Sequence, residues 1–321
     1  MNKIAFIIPY FGNFNNYFQL FLNSCKYNPD IDWLIFTDDH INYDYPPNVI
    51  VRYCTFNDIQ SLVQSKFDFK IALDRPYKLC DERGGYGYIF SQFLEGYDFW
   101  GYCDTDLIWG KIDNFITSDI LSCYDKIGIY GHCTLFRNTE EINTLFMKPL
   151  NGVEVYRKVF AEPWNHSFDE EFRESVNNIF EAYDKRICYD LKLANIYMKS
   201  SDFRLTYMND KREYEVEPKE HAFFAWNRGK LYRYYVHDEK LLREEFLYIH
   251  IQSRPMNVNV KLDASAYKII PNSFDPIEVK HLSVDNFDSV RIKHLNLHYF
   301  RLRSKNLIIK IKKAMLERIL A

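Results

Sequence analysis

Two acids separated by one residue follow an aromatic, apolar run in "WGYCDTDLIWG", residues 100–110. The preceding residues, 97–103, have the continuous apolar character of a strand that is covered on both faces. At the end of such a strand, Asp104 and Asp106 offer hard oxygen ligands on one side of a loop. Mg²⁺ and Mn²⁺ prefer one or two carboxylates together with phosphate oxygens and water. The spacing therefore predicts a divalent metal site that also receives a phosphorylated ligand, the alternative being a solvated turn with helix-capping acids.

Apolar runs and helical periodicity alternate along the part of the chain that leads to these acids. Because parallel strands are joined by helical crossovers, the order β-α-β-α-β-α-β predicts an α/β single domain, with a mostly parallel central sheet and helices on both faces. Ligands bind such sheets at the carboxyl ends of strands, so the loops at 9–12, 37–39 and 104–106 are expected to converge. The predicted strands are 3–9, 32–39, 48–53 and 97–106, and the predicted helices are 15–28, 57–67 and a glycine-interrupted 77–96.

The second half of the chain is less regular. A turn at 227–230, "NRGK", lies between two aromatic runs and predicts a β-hairpin. Residues 170–183 have the apolar spacing of a helix. The predicted strands of this half are 126–138, 203–208, 222–226, 231–237 and 245–256.

Composition excludes several classes of protein. No run of 18 apolar residues predicts a transmembrane helix, and the first residues resemble a core strand more than a signal peptide. The seven cysteines are scattered and never in CxxC spacing, which favours a reducing cytoplasm and argues against a zinc site. The net charge is −3, although residues 301–321 carry seven basic residues and one acidic residue. An acidic body with a basic tail argues against nucleic-acid binding.

Three features together resemble a known group of enzymes. The N-terminal β-α-β half, the strand that ends in "CDTD" and the late segment "YIHIQSRPM" are similar to GT-A-type glycosyltransferases, and in particular to bacterial capsule and polysaccharide glycosyltransferases. Some GT-A families have Lys-Pro after the histidine, where this chain has Arg254-Pro255. The resemblance covers about residues 1–256 and implies a GT-A-like catalytic domain there, with a nucleotide-sugar half at 1–110 and an acceptor half at 111–256. A C-terminal extension, 257–321, follows.

The resemblance also implies a donor site and an acceptor site. Asp104, Asp106 and His250 would hold Mn²⁺ or Mg²⁺ on the diphosphate of a nucleotide sugar, most simply UDP-glucose or UDP-galactose. Arg254 would neutralise the leaving diphosphate. A core histidine with satisfied hydrogen bonds is the alternative for His250. The other donor-side candidates are Pro9, Tyr10, Phe11, Asp38, Asp39, Lys78, Asp81 and Thr105. The candidates facing a saccharide or lipid-linked acceptor are Gly131, His132, Trp164 and Trp226, for which loop or core packing is the alternative.

The candidate catalytic carboxylates lie in "NHSFDEEF", residues 165–172, just before a predicted helix. An enzyme that inverts configuration needs a carboxylate base near the acceptor hydroxyl, and Asp169 is the first candidate, with Glu170 the second. A retaining enzyme needs no dedicated base. Acids favoured at a helix N-terminus by its dipole are the alternative.

Two other functional classes compete with glycosyl transfer. In a phosphatase-like hydrolase, Asp104 would be the nucleophile and Asp106 the general acid. In a non-catalytic protein, the fold would bind a sugar nucleotide without turnover. The sequence as a whole favours a metal-dependent hexosyltransferase of bacterial surface polysaccharide synthesis.

The basic tail, 301–321, has apolar residues at helical spacing. Such a stripe beside lysines predicts an interfacial helix on anionic lipid headgroups, and hence a peripheral location on the inner face of the cytoplasmic membrane. A terminal helix packed on the body is the alternative. The stripe consists of Leu307, Ile308, Ile311, Met315 and Ile319, and the lysines away from it are Lys305, Lys312 and Lys313.

Overall fold

The computed structural model describes residues 2–198, 200, 202–218, 221–292, 300–301, 303–305, 307–308 and 311. The chain divides into two compact units that alternate along the sequence. Unit 1 comprises Met1–Phe14, Asn28–Thr105 and Asp113–Leu191, and unit 2 comprises Asn15–Tyr27, Asp106–Ile112 and Lys192–Ala321. The functional halves 1–110 and 111–256 and the extension 257–321 are not tested by this division and stay predictions.

The strands of the described residues are numbered in chain order. They are β1 (Ile4–Pro9), β2 (Ile31–Thr37), β3 (Val49–Tyr53), β4 (Phe99–Cys103), β5 (Leu107–Trp109), β6 (Lys126–Tyr130), β7 (Cys133–Arg137), β8 (Ile187–Cys188), β9 (Ala194–Ile196), β10 (Leu205–Met208), β11 (Tyr214–Val216), β12 (Ala222–Asn227), β13 (Lys230–His237), β14 (Lys240–Phe246), β15 (Tyr248–His250), β16 (Asn257–Val258), β17 (Ala266–Ile270) and β18 (Ser273–Asp275).

The helices are short. They are α1 (Phe18–Lys26), α2 (Phe56–Gln64), α3 (Leu79–Glu82), α4 (Tyr86–Ile89), α5 (Ser118–Cys123), α6 (Glu140–Thr144), α7 (Val155–Ala161), α8 (Val176–Ala182) and α9 (Val284–Arg291). Single 3₁₀ turns at Pro76–Lys78, Arg83–Gly85 and Ser91–Phe93 flank α3 and α4, so the interrupted helix predicted over 77–96 is confirmed. Among the described residues, no helix is both long and apolar enough to cross a bilayer.

Unit 1 contains one sheet, with the strand order β3-β2-β1-β4-β7-β6-β8. Parallel pairing joins β1 to β2 and β4, β2 to β3, and β6 to β8. Only β7 runs antiparallel to its neighbours, β4 and β6. The α/β class and the mostly parallel central sheet are therefore confirmed. All five residues of β4 are buried, as expected for the strand that leads to the two acids.

Unit 2 contains two mainly antiparallel sheets, ordered β11-β10-β9-β15-β5 and β14-β13-β12-β17-β18-β16. One hydrophobic cluster packs α1 and these sheets together, with Leu20, Ile108 and Trp226 among its buried members. The predicted hairpin is confirmed, because β12 and β13 pair around a turn in which Gly229 has a φ of 83°. This conformation is accessible to glycine without steric cost.

Three predicted elements differ from the structure. The strand expected at 245–256 is divided between the end of β14 and β15, and β15 already ends at His250. The single strand expected at 126–138 is a hairpin, β6 and β7, that turns at Gly131-His132 and shifts register between Ile127 and Tyr130. The helix expected at 170–183 begins only at Val176, where the Ser175 hydroxyl accepts from Asn177 N and starts the helix. Apolar spacing does not show such local hydrogen bonds, so it could not locate either turn.

Candidate functional site

The positions of Asp106 and His250 follow from strand pairing inside unit 2. β5 begins directly after Asp106 and pairs antiparallel with β15, where Leu107 lies opposite His250. Beyond the end of β15, the amide of Ile251 donates to the main-chain oxygen of Asp106 at 3.0 Å. Residues more than 140 positions apart in the sequence are therefore held side by side by backbone hydrogen bonds.

The two side chains face each other in the interior. The Nε2 atom of His250 lies 3.3 Å from Oδ1 of Asp106, and both residues are buried. The Oδ2 atom of Asp106 accepts from the amide and hydroxyl of Ser253. Apart from the imidazole of His250, no group in the described part of the chain donates a hydrogen bond to its buried Oδ1. Oδ1 of Asp106 and Nε2 of His250 therefore face each other, and either an ion pair or a shared cation can join them.

A polar neighbour orients the His250 ring. Its Nδ1 lies 3.0 Å from Oδ1 of Asn195, and the Gln252 amide donates to the same oxygen at 2.6 Å. Because this oxygen is an acceptor, Nδ1 of His250 carries the hydrogen, which leaves Nε2 directed towards Asp106. Oxygen atoms that accept from the other ring nitrogen fix the tautomer of metal-binding histidines in this way. The geometry therefore suits either an ion pair or a metal ligand.

Asp106 is held ionised by its neighbours. Burial disfavours its charge, but the positive charge and hydrogen bond of His250 and the amide of Ser253 outweigh burial and lower the pKa of the carboxyl. An ionised carboxylate is what a divalent cation requires.

Asp104, Asp106 and His250 each offer one ligand atom, and these atoms lie within 4.8 Å of one another. Two carboxylates and one imidazole are a donor set that fits a divalent cation, with further positions left for phosphate oxygens and water. Mg²⁺ prefers oxygen ligands alone, so the imidazole favours Mn²⁺ over Mg²⁺. Thr105, between the two acids, is buried.

A second acidic group lies inside unit 1. The Glu170 carboxylate accepts from the amide of Gly131 at 3.2 Å. A Cβ atom on Gly131 would lie 2.9 Å from both the Asp169 and the Glu170 carboxylate, so a side chain at this position would displace at least one of the two acids. Asp169 is only 4% exposed. We call Asp169 and Glu170 the carboxylate pair.

Arg83 connects the carboxylate pair to Asp104. One guanidinium nitrogen lies 2.6 Å from Oδ1 of Asp104, and the other lies 3.4 Å from Oδ2 of Asp169 and donates to the carbonyl of Gly131. The sequence pattern did not predict a role for Arg83. The only available signal was the charged triplet Asp81-Glu82-Arg83 in front of two glycines, which gives no direction to any of the three side chains.

Both members of the carboxylate pair favour their neutral form. Burial and the charge of Glu170 raise the pKa of Asp169 to about 7, although the nearby Arg83 charge opposes the change. Burial also raises the pKa of Glu170, and the hydrogen bond from Gly131 opposes it. A carboxyl group that changes protonation near neutral pH can take a proton from a hydroxyl group.

The loops after β1 and β2 lie together in unit 1. Asp38 accepts from the amide of Gly12 at 2.8 Å, and buried Asp39 accepts from the amide of Phe14 at 3.0 Å. Pro9 ends β1, and the residues after it remain partly accessible. Tyr10 stacks on Phe14 with ring centroids 4.5 Å apart, and Phe11 contacts Phe56 edge to face at 5.4 Å.

Two groups of donor-side candidates, Lys78 with Asp81 and Arg254, lie in the interior, and their roles in donor binding stay predictions. Lys78 and Asp81 form a 2.8 Å ion pair with no solvent exposure. Arg254 is buried, and its guanidinium donates to the carbonyls of Ser200, Tyr197 and Pro271 at 2.7, 3.2 and 3.4 Å. Buried charges are expected to be paired in this way, and spacing alone cannot distinguish an inward ion pair from a ligand contact.

The acceptor-side candidates divide into accessible and inaccessible residues. Trp226 has no exposed surface and donates from Nε1 to the carbonyl of Trp109 at 2.8 Å, which matches the core packing that was the alternative for this residue. Trp164 is 58% exposed. His132 is buried against Tyr130, with stacked rings 5.1 Å apart, and Gly131 contacts the carboxylate pair.

Comparisons with known proteins identify a family but no activity. The family model described as "Family of unknown function (DUF6625)" matches residues 6–278. A search of curated proteins found no match. Among solved structures, the galactosyltransferase LgtC in complex with donor and acceptor sugar analogues aligns with a TM-score of 0.32 and 10% identity, over 60% of this chain and 75% of that chain. That likeness is too low to carry an argument about function.

Proposed function

The chain belongs to this family of unknown function, DUF6625, and we propose that it is a metal-dependent glycosyltransferase. It moves a hexose from a nucleotide sugar, UDP-glucose or UDP-galactose, to a saccharide or lipid-linked acceptor in bacterial surface polysaccharide synthesis. The observation that carries the proposal is the cluster of Asp104, Asp106 and His250 within 4.8 Å at the end of a buried strand. The sequence resemblance to GT-A enzymes supports the same reading.

Asp104, Asp106 and His250 would hold Mn²⁺, or Mg²⁺ in its place. When bound, the cation supplies positive charge that stabilises a departing nucleoside diphosphate. Asn195 keeps Nε2 of His250 available, and Ser253 holds one oxygen of Asp106, so the remaining oxygen faces the ligand position. The loops with Pro9, Tyr10 and Phe11 and with Asp38 and Asp39 are the proposed seat of the base and ribose.

Asp169 is the proposed base, with Glu170 the second candidate. The acceptor hydroxyl gives its proton to the Asp169 carboxylate while its oxygen forms a bond to the anomeric carbon. The bond from that carbon to the phosphate oxygen breaks, and its electron pair leaves with the nucleotide. The pKa of Asp169 of about 7 suits this transfer near neutral pH. A base in this position corresponds to inversion of configuration.

The first experiment is a panel of nucleotide sugars incubated with the protein in Mn²⁺, in Mg²⁺ and in EDTA. We expect cation-dependent release of the nucleotide from one UDP-hexose, and NMR of the product then gives the anomeric outcome. Release that is unchanged in EDTA would contradict the metal role. Mass spectrometry for a phosphorylated Asp104 tests the phosphatase alternative, which predicts a covalent aspartyl phosphate.

Peripheral membrane binding through residues 301–321 is the second part of the proposal. The part of the predicted stripe at Met315 and Ile319, together with Lys312 and Lys313, lies outside the described residues. Basic residues near an anionic bilayer contribute roughly 1 kcal/mol each. The described apolar residues of this region are about half exposed, namely Phe300 at 55%, Leu307 at 57%, Ile308 at 52% and Ile311 at 49%.

Sedimentation with anionic liposomes at low salt tests this location. We expect the full-length protein to sediment with them and a truncation after Tyr299 to remain in the supernatant with its soluble-acceptor activity intact. Neutral liposomes are the control for charge. Absence of full-length protein from the anionic pellet would remove the membrane from the proposal.

A further inference from the structure

Two lysines of unit 1, Lys78 and Lys126, have no solvent exposure. A lysine is almost never fully buried unless its ammonium group is paired or hydrogen-bonded. One lies in the turn before α3 and the other in β6, and both are linked to the segment that carries the carboxylate pair. Neither side chain can reach a ligand from solvent, so their role must be exerted through other residues.

Lys78 fixes the segment in front of Asp169. Its Nζ donates to Oδ2 of Asp81, to the carbonyl of Val159 and to the carbonyl of Trp164, each at 2.8 Å. All three donors of the ammonium group are therefore used. The Asp81 carboxylate in turn accepts from the amides of His166 at 3.0 Å and Phe168 at 3.2 Å. These hydrogen bonds therefore fix the backbone as far as Phe168, the residue before Asp169.

Lys126 fixes the segment from the other side. Its Nζ donates to Oδ1 of Asn177 and to the carbonyl of Gly128, both at 2.6 Å. The Asn177 amide then donates to the carbonyl of Glu170 at 2.9 Å and to that of Ile129 at 3.2 Å. Since the carbonyl of Glu170 accepts this bond, the second member of the carboxylate pair is anchored to β6.

The segment between these anchors needs external support. Ser167 and Glu174 have φ angles of 53° and 56°, a left-handed conformation that is unfavourable for residues other than glycine. The Asp169 and Glu170 carboxylates also crowd Gly131, where a like charge on each would repel the other. A turn of this kind persists when the surrounding structure determines it.

We propose that the pairs Lys78–Asp81 and Lys126–Asn177 are positioning groups that hold the Asp169 and Glu170 carboxylates against Gly131 and Arg83. As a statement about catalysis, this inference rests on the proposed function. It assigns Lys78 and Asp81 a role in the orientation of the carboxylate pair instead of in donor binding. A purely structural role would lower thermal stability without changing the ionisation of Asp169.

The test uses Asn177→Asp, which retains the shape of the side chain and a partner for Lys126 but removes the donor to Glu170. A buried asparagine of unit 1 provides the control, because the amide of Asn48 also donates to two backbone carbonyls, those of Asn28 and Ile31, at 3.0 Å. Asp81→Asn is the second variant. It retains an acceptor for the backbone amides and removes the ion pair, whose loss in a buried site can prevent folding.

Carboxyl ¹³C NMR titration of full-length protein, assigned with Asp169→Asn, gives the primary result. We expect Asn177→Asp to move the Asp169 titration midpoint by at least about half a pH unit, because a shift of one pKa unit already reflects a substantial change in the interactions of a carboxyl group. We expect Asn48→Asp to leave it in place. A fall in melting temperature with an unchanged Asp169 midpoint in both Asn177→Asp and Asp81→Asn would overturn the inference.

Steady-state kinetics separates this inference from the proposed function. If transfer occurs, Asn177→Asp should lower kcat about tenfold or more with little change in KM for the nucleotide sugar, because the metal cluster is untouched. An unchanged kcat together with an unchanged midpoint would contradict positioning. If the wild-type protein shows no transfer with any donor, the proposed function fails, and the NMR midpoint alone still decides whether the lysine pairs position the carboxylates.

Discussion

The pKa values of two buried aspartates of this chain are shifted in opposite directions. In unit 2, burial of Asp106 is outweighed by His250 and Ser253, and the pKa of this carboxyl is lowered. In unit 1, burial and Glu170 raise the pKa of Asp169 to about 7, and Arg83 offsets only part of this change. Both residues are less than 10% exposed. The difference between their pKa values therefore comes from the partners of each carboxyl and not from the extent of burial.

The contrast assigns different chemistry to the same residue type. A carboxylate that stays ionised suits a cation, whereas one that titrates near neutral pH suits proton transfer. Carboxyls whose pKa values are driven apart are commonly assigned separate roles on that basis. The predictions below test this difference and are ordered from the largest expected effect to the smallest.

Asp106→Asn is expected to have the largest effect. The substitution retains the shape of the side chain and removes the charge beside His250, so transfer should be abolished and Mn²⁺-dependent UDP binding should fall by more than about 100-fold. Calorimetry of UDP with and without Mn²⁺ measures the loss, and Asp238→Asn, at a side chain 85% exposed, is the control. UDP binding that changes neither when the metal is removed nor in Asp106→Asn would contradict a cation site at Asp106 and His250.

Asp169→Asn should lower kcat by about 10² to 10⁴, the usual contribution of a general base. Affinity for UDP and Mn²⁺ should be unchanged, because Asp169 is not among the three metal-cluster residues. Glu170→Gln should have a smaller effect, and near-wild-type turnover in both variants would remove the base from the carboxylate pair.

Asn195→Ala should weaken Mn²⁺ affinity by about 10- to 100-fold, as the loss of a group that orients a metal-binding histidine does in other proteins. The variant removes the acceptor of the His250 Nδ1 hydrogen and frees the ring to reorient. Asn259→Ala, which removes a 2.6 Å hydrogen bond to Asp275 in the same unit, is the control. Equal Mn²⁺ affinity in the two variants would show that the ring needs no such support.

The pH dependence should reflect Asp169. Because the base acts when deprotonated, kcat/KM should rise about tenfold per pH unit below about 7 and then level off. The rise should disappear in Asp169→Asn. A flat profile in the wild-type protein would contradict the assignment. The charged or titratable groups that share the environment of Asp169 are Arg83, Glu170, Asp81, Cys80, Glu82, Tyr86, Tyr102 and Lys126.

The same carboxyl affects stability in a defined direction. The pKa of Asp169 is raised in the folded protein from 3.8 to about 7, so between these values the folded state binds more protons than the unfolded state. Its contribution is therefore complete below pH 3.8 and is lost as the pH rises through about 7. Denaturation of wild-type protein and Asp169→Asn at several pH values measures this slope as a difference.

The sequence predicted the features that depend on local pattern. The apolar run before Asp104 predicted a buried strand and acids at its end, and the "NRGK" turn predicted the β12–β13 hairpin. It could not predict Arg83 beside Asp104 or Asn195 beside His250, because these contacts join distant segments and depend on the direction of each side chain. Lys78 and Asp81 illustrate the same limit, since a spacing of three fits an exposed pair and a buried one equally well.

The most direct test of the central claim is pulsed EPR on Mn²⁺ bound to the protein in the presence of UDP. A histidine nitrogen that ligates Mn²⁺ produces a nitrogen coupling in the spectrum. We expect this coupling in the wild-type protein, its loss in His250→Gln, and ³¹P coupling from the UDP diphosphate on the same ion. Mn²⁺ that binds with UDP but shows no histidine nitrogen, or a nitrogen coupling that persists in His250→Gln, would contradict a cation held by Asp104, Asp106 and His250.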